Sequence, residues 1–112
     1  MLPSKYAEPD RYKSRPLLWV LEHYVLAAIG ELDPQRNQEV AKIVKSVFGG
    51  DDDWMRAVKE ELHLGDSMDG AMQKLWQRNQ DIASQNGVEL HPVQFAKMFV
   101  DKNFADLIDS RQ

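Results

Sequence analysis

The sequence predicts an all-α fold, a compact bundle of five helices with a break that would make the last turn a short sixth. The bundle is expected to pack around a central hydrophobic helix at residues 16–30. Three observations predict it. Apolar residues recur at i, i+3, i+4 spacing along most of the chain. The patterned segments are separated by Asp, Pro and Gly in the positions that start and stop helices. No stretch alternates with the period of a strand, and β-branched runs are lacking. Short loops favour antiparallel neighbours. At 112 residues the chain reads as one domain, large enough to bury roughly two-thirds of its unfolded surface without a metal or disulfide.

Residues 1–15 read as an extended, partly flexible arm, because Pro3, Pro9 and Pro16 discourage helix before Leu17. Lys5, Arg11, Lys13 and Arg15 against Glu8 and Asp10 give the arm a net charge of +2. The helical domain is expected over residues 16–112. Its first helix has Pro16 in the first turn and Gly30 at the stop, and only Glu22 and His23 interrupt its apolar run. Leu17, Leu18, Val20, Leu21, Tyr24, Val25, Ala28 and Ile29 share one broad face. Trp19 and Leu26 fall on the opposite side, flanking Glu22 and His23.

Asp33-Pro34 should cap and start the second helix, with Val40, Ala41, Ile43, Val44, Val47 and Phe48 as its apolar stripe and Gly49-Gly50 at its end. Asp51-Asp52-Asp53 opens the third, whose stripe is Trp54, Met55, Val58 and Leu62. Leu64 should pack past its end, and Gly65 should stop it. The fourth helix, 67–86, carries Met68, Met72, Leu75, Trp76, Ile82 and Ala83, and ends at Gly87. His91-Pro92 starts the fifth, with Phe95, Ala96, Phe99 and Val100 buried. Asn103 is expected to break it and cap a short helix, Phe104 to Ile108, although the apolar spacing also fits one continuous helix.

The function classes are narrowed mainly by what is missing. Cysteine is absent, which removes disulfides, thiolate metal sites and a thiol nucleophile, and fits a cytoplasmic protein. No secretory leader is expected, and the run at 16–30 is too short and too polar at its centre to span a bilayer. Residues 31–66 hold nine acids against five bases, and the net charge of −4 argues against a general nucleic-acid binder. The three contiguous aspartates lack the alternating spacing of a calcium loop and are explained by helix capping. His23, His63 and His91 lack metal-ligand spacing, and no phosphate-binding or nucleophile motif occurs, so no catalytic residue, metal or cofactor is expected.

The expected function is therefore a small non-enzymatic interaction module that binds another protein or a second copy of itself. Trp19, Glu22, His23 and Leu26 are its candidate partner surface, since a large apolar pair stands on the polar side of the central helix. One alternative is a nucleic-acid-associated regulator that uses Lys5, Arg11, Lys13 and Arg15 of the arm with Lys74 and Arg78 of helix 67–86. Another is phosphotransfer at His23, on a bundle of suitable size but without the lysine usually found a turn away.

Overall fold

The computed structural model describes residues 9–110, with side chains at 10–108, and these residues form six helices and no strand. They are α1 (Pro9–Tyr12), α2 (Pro16–Ala28), α3 (Pro34–Phe48), α4 (Trp54–Leu62), α5 (Asp66–Gln85) and α6 (Pro92–Ser110). The all-helical bundle is as the periodicity predicts, but the sixth helix is at the other end of the chain. The segment 9–12, expected to be extended, is a helical turn with Pro9 as its first residue and Asp10 in its first turn.

The break expected at Asn103 is absent. Its side-chain amide donates to the Phe99 carbonyl one turn back, at 2.9 Å, so Asn103 sits inside the helix instead of capping a new one. Phe104 and Ile108 then continue the buried row of Ala96 and Val100 along one α6.

The caps follow the sequence more closely. Asp33 accepts from the Arg36 amide at 2.7 Å, and Asp53 from the Arg56 amide at 3.2 Å. Asp51 accepts from the Asp53 amide at 2.9 Å, so two of the three aspartates organise the start of α4. Gly49 ends α3 in the left-handed region (φ 80°), which glycine enters without steric cost. At the end of α4 that conformation falls to His63 (φ 58°), and Gly65 serves as the extended N-cap of α5.

α2 is central: it packs against each of the other five helices, most extensively against α6. Leu17, Leu18 and every residue from Val20 to Leu26 are buried. Its partners fix the directions. Ile108 of α6 lies by Pro16 and Leu17, whereas Phe95 meets Trp76 of α5 (ring centroids 5.2 Å) towards the other end, so α6 runs antiparallel to α2. Tyr24 donates to Asp69, and Gln73 donates to the Ala28 carbonyl at 2.9 Å; the constant offset makes α5 parallel to α2. No helix of the described residues is long and apolar enough to cross a membrane.

Candidate functional site

The face of α2 bearing Trp19, Glu22, His23 and Leu26 is where the sequence places a partner surface. The spacing does bring these residues together, but Glu22, His23 and Leu26 are each only 1% exposed, and Trp19 is half-buried. In this conformation the face is therefore largely internal. The physical reason is the carboxylate of Glu22. A charge on a helix this apolar needs a cation and hydrogen bonds, and α1 folds back to supply them.

Arg11 Nε donates to Glu22 Oε2 at 2.9 Å, and Arg11 Nη2 bridges outward to Asp101 of α6 at 2.7 Å. The Tyr12 hydroxyl donates to Glu22 Oε1 at 2.9 Å, so both carboxylate oxygens are bound. Burial raises the Glu22 pKa, and the bonds from Arg11 and Tyr12 offset part of that rise. Burial opposes the Arg11 charge, but Glu22 and Asp101 outweigh it and hold the guanidinium firmly protonated.

His23 completes this polar centre. Its ring stacks on Trp19 with centroids 3.9 Å apart, and the Tyr12 ring meets it edge-on at 6.3 Å. Its Nδ1 lies 2.7 Å from the Trp19 carbonyl oxygen. A carbonyl only accepts, so Nδ1 carries the proton. The exposed imidazole that phosphotransfer would need is not present in this conformation.

The alternative set of cations is only partly open. Lys13, Arg15, Lys74 and Arg78 are exposed, Arg11 is engaged by Glu22 and Asp101, and Lys5 lies outside the described residues. A second polar cluster joins three helices. Tyr24 of α2, fully buried, donates to Asp69 of α5, while Lys59 of α4 reaches Asp66 at 2.8 Å and Asp69 at 2.9 Å. Burial and then the Asp69 bond raise the Tyr24 pKa, so the phenol stays protonated. With its hydroxyl closed off, Tyr24 ties the bundle together. Among the described residues no group of three or more His, Cys, Asp or Glu is arranged to hold a metal ion.

A partly apolar concavity is at the other end of α2. A groove of about 510 Å³ is lined by Ser14, Arg15, Pro16, Leu17, Val47, Phe48, Glu61 and Ile108. Leu17 and Ile108 are buried, Phe48 is half-buried, and Val47 is 41% exposed although it lies on the predicted core stripe of α3. Arg15 and Glu61 give the groove one charge of each sign.

Sequence reasoning missed this groove because it joins four segments distant in the chain. It also missed the roles of Arg11 and Tyr12, for which Glu22 was the signal: a lone acid in an apolar helix demands a cation that the sequence does not name. Comparison with known proteins finds no matching family model, no matching curated protein and no matching solved structure.

Proposed function

We propose that the chain is a non-enzymatic helical interaction module that associates with a second copy of itself through the groove between α2, α3, α4 and α6. The observation that carries the reading is the content of that groove. Its lining holds the apolar side chains Leu17, Phe48 and Ile108, the exposed Val47, and opposite charges at Arg15 and Glu61. A twofold interface is self-complementary: if Arg15 of one copy faces Glu61 of the other, the converse pair forms as well. An apolar patch with a polar rim is the ordinary composition of such contacts. A cytoplasmic setting belongs to the same reading and rests on the cysteine-free sequence.

Light scattering after size exclusion tests this over a wide range of protein concentrations. The mass is expected to rise from one chain to two. Val47→Arg should return the protein to a monomer at every concentration. Arg15→Glu and Glu61→Arg should each weaken association, and the two together in one chain should restore it. A wild-type chain that remains monomeric throughout removes the proposal.

A further inference from the structure

We propose that α1 is a releasable strap lying over a latent recognition site formed by Trp19, Glu22 and His23 of α2 with Asp101 of α6, and that this site takes a guanidinium beside an aromatic ring. The inference uses different residues from the groove and stands even if the chain is monomeric.

α1 is weak as an element. It is four residues long, too short to hold a helical conformation without tertiary contacts. Lys13, Ser14 and Arg15, which join it to α2, are exposed. Among the described residues, Arg11 and Tyr12 are the side chains of α1 that bond to α2 and α6.

Polar groups lie beneath α1. A strap over apolar side chains exposes hydrocarbon to water when it lifts, and the hydrophobic effect opposes that opening. Here the groups uncovered include the buried Glu22 carboxylate and His23 imidazole, beside the half-buried Trp19. Their hydration is regained on opening and offsets much of the loss of the ion pair. Tyr12 also packs against the apolar core, so opening costs that burial, and the hydration of the two polar groups lowers the cost.

The chemistry of α1 itself identifies the occupant. In the closed state the site is already filled by a ligand of defined chemistry. The Arg11 guanidinium bridges two carboxylates, Glu22 and Asp101, 2.8 and 2.7 Å away. The Tyr12 ring lies edge-on to His23, which stacks on Trp19. A partner segment with an arginine next to an aromatic residue reproduces both contacts. The forked guanidinium bridges two acids in a way that a lysine ammonium does not.

Diethyl pyrocarbonate, which acylates accessible imidazoles, reads the state of the strap in the full chain. His63 and His91 are exposed and serve as internal standards for His23. In the wild type His23 should react far more slowly than either. The Arg11→Ala/Tyr12→Ala variant should raise the His23 rate about tenfold or more, with the rates at His63 and His91 unchanged. An acetylated peptide of residues 9–15 should slow it again, and the same peptide with alanine in place of Arg11 should not.

A His23 rate unchanged in the double variant means that the site is closed without the strap, and overturns the proposal. Global unfolding of that variant would make α1 part of the core, and overturns it too. Asp101→Ala removes only the outer anchor of Arg11. It should leave the melting temperature close to wild type and raise the His23 rate by a smaller factor; no rise contradicts the strap. Equal protection by the two peptides contradicts the assigned ligand chemistry.

Discussion

Glu22 sets the chemistry of the bundle at the scale of single residues. Its carboxylate is desolvated, and among the described residues Arg11, Tyr12 and Asp101 act on it. Burial raises its pKa, so the folded chain binds this proton more tightly than the unfolded chain does. The resulting stabilisation is fully present below the unfolded glutamate value of about 4.3, and it is lost as pH rises through the raised folded value. Glu22→Gln keeps an oxygen acceptor for Arg11 and removes the titration. Its stability at neutral pH should lie within about 1 kcal/mol of wild type, because relief of desolvation balances the lost ion pair. The wild type should lose stability relative to Glu22→Gln as pH rises above about 4.3. Thermal melts of both proteins across that range measure it, and a constant difference between them contradicts the shift. Asp66 contributes with the opposite sign. Its bond from Lys59 lowers its pKa, so that stabilisation is present above the ordinary aspartate value and is lost as pH falls through the lowered one. Lys59→Met should therefore flatten the acid limb of the melting curve.

Among the elements, those whose ends are fixed by neighbouring residues were legible in the sequence. Asp33 and Asp53 act within three residues of themselves, and both cap as the pattern predicts. Asp33→Ala and Asp53→Ala should each cost about 1 kcal/mol, measurable by chemical denaturation. His63 holds a left-handed backbone that disfavours any side chain with a Cβ. His63→Gly should stabilise the protein by roughly 0.5–1 kcal/mol, and a loss of stability would mean that the imidazole has a role at the end of α4. The elements that were not legible depend on distant partners. Four residues of α1 have no period to detect, and the turn is worth forming only because Glu22, ten residues on from Tyr12, needs its donors. Asn103 has the composition of a cap, yet Phe104 and Ile108 gain more from continuing the buried row of α6 than from a new start. The candidate partner face was legible as a cluster of residues but not as a covered one, because a helical wheel shows which residues share a side and not what lies against it.

On the scale of the whole molecule, α5 outruns the helix it packs on. The parallel pairing of Tyr24 with Asp69 and of Ala28 with Gln73 brings α2 to its end when α5 is less than half complete. Thirteen residues of α2 rise about 20 Å, against about 30 Å for the twenty of α5. Met72 and Trp76 are the buried residues of α5, and none follows Trp76. The apolar stripe read from the sequence runs on through Ile82, but that side chain is 47% exposed. Periodicity gives the direction of an apolar face and cannot report that its partner has ended. The far end of α5 is closed by local bonds: the Asn86 side-chain amide donates to the Ile82 carbonyl at 2.8 Å, and the Val88 amide to Ala83 at 2.8 Å. Such bonds preserve the helix but add no hydrophobic burial, so this half should open without the rest of the bundle. Native-state amide exchange should show protection across Met72–Trp76 approaching the global stability, and clearly less from Arg78 to Gln85. Substitutions should divide at the same point. Trp76→Ala should cost about 3–5 kcal/mol, as for a large buried aromatic. Ile82→Ser, although it lies on the same predicted stripe, should stay within about 1 kcal/mol of wild type, much of it from helix propensity. Equal protection along all of α5, or a large loss for Ile82→Ser, would show that something in solution covers the overhanging half.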